Sequence, residues 1–351
     1  MANSGGARRA GGPRPSLGDL SDLLVPGATV GTGPVPHRGL AASLDFGCDA
    51  SDVPTAPIPA RHDPRQTGAA QVLAGVVGIT THADGTFAVD PGAIDHLAPV
   101  AAGLDRPEFE ALRAFVERCR RRQHTGPVRW GLTGPVAVTR ELCRRGVPTP
   151  TAAAVALAAV RTHLTVVAAE FAEAAPRAVQ VVVLDEAAGG PPGDTGLAPS
   201  EATDVLSAAL AAVERCAVAG VRGGADADVP LLLEAGPRLI ELPTSLDPAT
   251  YAGYLTAFLE RGGWVVWDVL ATDGPIVDTP TRAWKRLSEV WCALVQRGCD
   301  LTPLRRQAWF APGGGLDAHS PAGASQIAAT VADVARLARA DAGAARFVLG
   351  A

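Results

Sequence analysis

Ionisable and small polar residues recur where short apolar runs of this chain end. Asp185 and Glu186 follow Val181-Val182-Val183-Leu184, Arg222 follows Val221, Glu241 sits between Ile240 and Leu242, and Asp268 sits between Trp267 and Val269. His37 closes the stretch Val30-Gly31-Thr32-Gly33-Pro34-Val35-Pro36, and Thr133-Gly134-Pro135 follows Leu132. Carboxylates and an imidazole at such positions suit general acid–base work, which makes Asp185, Glu241, Asp268 and His37 the candidate catalytic groups. Gly31, Thr32, Thr133 and Gly134 offer hydroxyls and backbone N–H groups that a ligand can approach, and Arg222 offers a bidentate fork for a carboxylate or phosphate. These five are the candidate substrate-binding residues. Pro135 is placed to start a helix whose free N–H groups could face an anion. Ordinary Gly-Pro turns, a plain helix start and a solvated pair of acids would leave the same residues, so the elements that carry them must decide.

Those elements alternate. Short apolar segments, read as strands, cover Ala28 to Thr32, Val128 to Leu132, Val179 to Leu184, Ala217 to Val221, Arg238 to Leu242, Trp264 to Val269 and Gln307 to Phe310. Stretches of helical period lie among them: Glu108 to Arg122, Thr151 to Glu173, Glu201 to Arg215, Val229 to Ala235, Pro248 to Arg261, Thr281 to Gln296 and Ala322 to Ala340. Repeated strand-then-helix units predict a parallel sheet wrapped by helices. No G-x-G-x-x-G opens a helix after the first strand, so a single α/β domain folded as a (β/α)8 TIM barrel is expected over a doubly wound sheet. In a barrel, function sits where strands end, which is where the groups above fall. Asp185 and Glu186 are adjacent and point to opposite sides of a strand, so at most one faces the mouth.

Composition narrows the partners. The chain has 351 residues with 47% apolar content, enough for one large barrel or two modest domains. Residues 1–22, rich in Gly and Arg and without periodicity, are expected to be a flexible tail, with the barrel over 23–351. A net charge of −5 argues against nucleic acid as partner. Lys285 is the single lysine, so amine chemistry has one candidate, whereas anion recognition by arginine has many. The six cysteines form no C-x-x-C pair, no leader opens the chain and no uninterrupted apolar run reaches bilayer length, so a cytoplasmic protein without membrane contact is expected.

Taken in order, the strand ends resemble the catalytic barrel of cobalamin-independent methionine synthase, within the superfamily that also holds uroporphyrinogen decarboxylase. The matches are Val30-Gly31-Thr32-Gly33-Pro34 for the family's I-G-S-x-P, Leu132-Thr133-Gly134-Pro135-Val136 for L-T-G-P-V and Leu184-Asp185-Glu186 for x-D-E-P. Ile240-Glu241, Val266-Trp267-Asp268-Val269 and Pro312-Gly313-Gly314-Gly315-Leu316 stand for I-E, V-x-D-I and P-x-C-G-L. Such a resemblance implies methyl transfer from a methylated folate to homocysteine, held as a thiolate on zinc. It places Thr32 at the family serine beside homocysteine and Asp185 at the carboxylate that meets its ammonium.

The departures fall on the metal. The family's His-x-Cys pair falls on Arg222 and Gly224 and its last cysteine on Gly314, leaving Glu241 as the one matched ligand. One carboxylate does not make a zinc site, and Cys216, His319 and His37 show no ligand spacing, so no metal site is expected. The family tryptophan beyond L-T-G-P-V falls on Glu141, which removes a stacking partner for methylated folate. Arg222 is expected to pair with Glu241 and supply positive charge in the metal's place. Two functions follow: an enzyme acting without zinc on a small anionic or amino-acid-like substrate, by methyl transfer or decarboxylation, or a non-catalytic binding protein that assists a protein partner.

Overall fold

The structure is a computed structural model, described here for residues 18–187, 196–275 and 278–349, and for residues 342–349 by backbone alone. Its centre is a six-stranded, all-parallel sheet in sequence order: β3 (Gly126–Thr133), β4 (Ala178–Asp185), β5 (Val218–Arg222), β6 (Leu239–Pro243), β7 (Trp264–Leu270) and β8 (Ala308–Pro312). A small antiparallel hairpin, β1 (Ile79–Thr81) with β2 (Phe87–Val89), lies before it. The helices are α1 (Leu40–Asp49), α2 (Gly68–Leu73), α3 (Glu110–Arg121), α4 (Pro135–Cys143), α5 (Thr149–Ala174) and α6 (Pro199–Leu210). They continue with α7 (Val229–Glu234), α8 (Ala252–Glu260), α9 (Pro280–Val295), α10 (Leu301–Arg306) and α11 (Pro321–Leu349).

Alternation along the strands builds two cores. Val128, Trp130, Val182, Leu184, Val221, Ile240, Trp267 and Phe310 pack under the helices. Their neighbours Val179, Val181, Val183, Val218, Leu239, Trp264, Val266 and Trp309 pack together on the opposite face. Strands buried on both faces read as near-continuous apolar runs, which is why β4 and β7 are so rich in Val and Trp. Trp264 and Trp309 meet edge to face at 6.1 Å, and the Trp309 indole donates to the Val25 carbonyl. Several helices begin with proline at their first turn, including Pro135, Pro199, Pro280 and Pro321, where the missing N–H costs no hydrogen bond.

Both edges of the sheet are met by segments from the start of the chain. Beside β8, Val30 N–H donates to the Phe310 carbonyl and Phe310 N–H to the Ala28 carbonyl. Beside β3, Ala56 N–H donates to the Arg129 carbonyl and Arg129 N–H to the Pro54 carbonyl. The two segments touch each other through Val53 N–H to the Thr29 carbonyl and through the Pro34–Ile58 bridge. Neither is a regular strand, so the expected strand at Ala28 to Thr32 is present only as isolated bridges. Gly33, with φ of 99°, and Pro34 interrupt its pairing.

Two expectations meet the structure elsewhere. The proposed tail over 1–22 lies mostly outside the described residues, but Leu20 is buried against the inner core with Leu24, so the packed chain begins before Leu23. No uninterrupted apolar run reaches bilayer length, but α5, interrupted by Arg161, Thr162 and His163, is still long and apolar enough to cross a membrane by length and composition. Its Ala152, Val155, Ala159, Val160, Leu164, Val167 and Phe171 are buried beneath the helical layer, which gives that composition a packing role.

Candidate functional site at the strand ends

Register sets the site. Asp185 pairs with Arg222 between β4 and β5, and Arg222 pairs with Glu241 between β5 and β6, so three charged residues stand in one row across three strands. Asp268 lies on the next strand, opposite Pro243. All four belong to the inner face, at the end toward which the strands run. Asp185, Glu241, Asp268 and Arg222, picked out separately from the sequence, are thus neighbours in space.

The expected ion pair between Arg222 and Glu241 is present, but it is not the closest contact that Glu241 makes. Glu241 is held by Arg129 of β3 through a two-point fork, Nε to Oε1 at 2.8 Å and Nη2 to Oε2 at 2.9 Å. Arg222 stands beside that pair, its Nε 3.6 Å from Glu241 Oε2. Its hydrogen bonds go to Asp185 Oδ2 and to the Gly313 carbonyl, both at 3.2 Å, and its Nη2 lies 3.6 Å from Asp268 Oδ2. Arg222 is therefore a hub among three acids, and Arg129 is the main partner of Glu241.

Electrostatics follow from burial and charge. Burial works hardest against the Arg222 cation, but Asp185, Asp268 and Glu241 together outweigh it and hold the guanidinium more firmly protonated than usual. Asp268 is buried, and neither of its oxygens accepts a hydrogen bond. Burial first, and then the nearby Glu241 and Asp185 charges, push its carboxyl up, against the opposing pull of Arg222 and Arg129. Two cations face three acids, and protonation of Asp268 brings the cluster to neutrality.

Beside this cluster opens a cavity of about 240 Å³, lined among others by Thr32, Gln66, Arg129, Thr133, Asp185 and Asp317. Asp185 reaches it, with its side chain 36% exposed, while Glu241 at 1% and Asp268 at 0% lie behind. Thr32 lines the wall with its hydroxyl donating to the Gly314 carbonyl at 2.9 Å. Thr133 lines it too.

The remaining sequence candidates fall differently. The Gly31 amide is committed to Thr55 Oγ1 at 3.1 Å, and the Gly134 amide to the Asp185 carbonyl at 2.9 Å. Neither N–H is free for a ligand, because the first ties the two edge segments together and the second ties the ends of β3 and β4. The start of α4 does meet an anion, and it is the chain's own Glu186, which accepts from Val136 N–H at 3.1 Å and Ala137 N–H at 2.6 Å. Gly134 lacks a side chain where one would collide with that carboxylate. Burial nonetheless pushes the Glu186 carboxyl up to about 7. His37 packs on the Phe46 ring of α1 at 5.1 Å, burial lowers its pKa, and among the described residues no hydrogen bond or ion pair joins it to the acid–arginine cluster.

Sequence reasoning passed over Arg129, Gln66 and Asp317. For Arg129 a signal existed: it is the charged residue at an inward position between Val128 and Trp130, and an inward charge demands a partner. Gln66 and Asp317 sit outside the strands, where no periodicity marks them.

A zinc ion does not fit these residues. Both Glu241 oxygens take the Arg129 fork, and Asp185 and Asp268 share Arg222, so the acids face guanidinium cations. Among the described residues no three His, Cys, Asp or Glu side chains gather as metal ligands. Folate stacking finds no aromatic ring at Glu141 either, whose carboxylate pairs with Arg144 and Arg145 just past the end of α4.

No protein-family model matches the chain, and no curated protein matches it. Among solved structures it is similar to the B12-independent methionine synthase of Shewanella sp. W3-18-1, determined in complex with selenomethionine, with a TM-score of 0.57 and 15% identity over 92% of this chain and 99% of that one. The chain thus shares the fold of that methionine synthase.

Proposed function

We propose that the segments bridging β3 and β8 complete an eight-stranded (β/α)8 barrel, and that the protein binds a small amino-acid-like molecule in the cavity at its mouth without zinc. The observation that carries this reading is Asp185: it is the acid of the row that reaches the cavity wall, fixed by Arg222 and placed to receive an ammonium group. The fold is that of a protein whose structure is in complex with selenomethionine, an amino acid, which supports the ligand class. In the enzymatic form of the reading, Asp185 binds and orients the substrate for methyl transfer or decarboxylation, while Asp268 exchanges a proton behind it.

Glu241 favours a second reading, a non-catalytic binding protein acting with a protein partner. Both its oxygens are held by Arg129 and it is buried, so it is not free to work as a base. Calorimetric titration with L-methionine, homocysteine, methylated folate and small carboxylates tests binding, and turnover separates the two readings. Asp185→Asn keeps the shape and should weaken amine-bearing ligands about tenfold or more. Failure of wild type to bind any amine-bearing member of the panel overturns the reading.

A further inference from the structure

Gln66 closes a turn at Pro64–Gln66 and is 1% exposed. Its orientation is fixed by chemistry: the oxygen Oε1 accepts from Ala111 N–H at 2.8 Å, and the reversed amide would set N–H against N–H. The nitrogen Nε2 is consequently the other atom, and it is a buried donor without a partner. Buried donors are nearly always satisfied, so an orphan in a cavity wall marks a place where something else supplies the acceptor.

Arg129 lines the same cavity, and its fork to Glu241 uses Nε and Nη2, leaving Nη1 without a hydrogen bond among the described residues. The wall thus carries two uncommitted donors, one amide and one guanidinium N–H, together with the carboxylate of Asp185. Two donors and an acid around one small cavity form a receptor for a zwitterion.

We infer that Gln66 Nε2 and Arg129 Nη1 form a carboxylate subsite, which holds the acid end of the ligand whose ammonium meets Asp185. This rests on the amino-acid reading above and names the residues that distinguish an amino acid from the corresponding amine.

The test compares L-methionine with 3-(methylthio)propylamine, which lacks only the carboxylate. Affinities are measured for wild type, Gln66→Met and Gln66→Glu, with circular dichroism to check folding. Gln66→Glu keeps an acceptor for Ala111 N–H and loses the donor, so it serves even where Gln66→Met fails to fold. Wild type should prefer L-methionine. Both variants should bind it about tenfold or more weakly at pH 8 while binding the amine within about twofold of wild type. For Gln66→Glu, affinity should recover as pH falls and the new carboxyl gains a proton to donate, a response a purely structural role would not give. Variants that bind L-methionine as wild type does overturn the subsite and leave the amino-acid reading standing. Wild type that binds the amine as tightly as L-methionine also overturns the subsite alone, and binding of neither probe overturns both.

Discussion

Arg129 and Glu241 lie 112 positions apart and meet in a fork of 2.8 and 2.9 Å across the inner face of the sheet. Both side chains are almost fully buried. Breaking such a pair from one side leaves an uncompensated charge. Arg129→Met should cost about 3–5 kcal/mol, whereas Arg129→Met combined with Glu241→Leu should restore most of it. Urea denaturation of the single and double variants checks the pair, and an additive double variant would contradict it.

Glu186 predicts a pH dependence. Its carboxyl is raised in the folded state from 4.5 to about 7, so the folded chain binds that proton more tightly than the unfolded one. The stabilisation is complete below pH 4.5 and is lost as pH rises through about 7. The loss is on the order of 3 kcal/mol. Glu186→Gln removes this titration, and the difference between the two stability–pH curves should show the fall.

Gly134 is constrained by the same acid. A side chain at this position meets the Glu186 carboxylate and pushes it from the α4 amides. Gly134→Ala should therefore destabilise by about 1–3 kcal/mol. The thermal midpoint reads this directly, and Glu186→Ala in the Gly134→Ala background should relieve the collision.

Chelation gives a fourth test. Guanidinium cations supply the positive charge among the acids, so stability should not depend on zinc. Overnight treatment with a strong chelator should leave the thermal midpoint and the zinc-supplemented midpoint equal. A fall on chelation that zinc reverses would point to a metal bound by other residues.

Much of this architecture was legible because strands buried on both faces announce themselves. Val179 to Leu184 and Trp264 to Val269 fall within β4 and β7, and the charges at their ends fall in the cluster. The segment around Val53 to Ile58 left no such trace, because Pro54 and Pro57 break its pattern and its pairing is limited to bridges. The Arg129 pairing stayed hidden for another reason: its partner is set by strands that come together around the sheet, and chain order says nothing of which inward charge meets which. Arg222 and Glu241 are register neighbours and pair at 3.6 Å, yet the better hydrogen-bond geometry goes to the residue farther away in sequence.

The bridges at the two sheet edges also bear on how the molecule is made. Thr29 rests against Phe310, and Thr55 against Arg129, so a segment that precedes the whole sheet in the chain must wait for β8, its last strand, before it can pair on both sides. Until β8 has been made, the growing edge of the sheet and the facing side of the Ala28–Val30 segment stay unpaired, and protection from aggregation during translation matters most there.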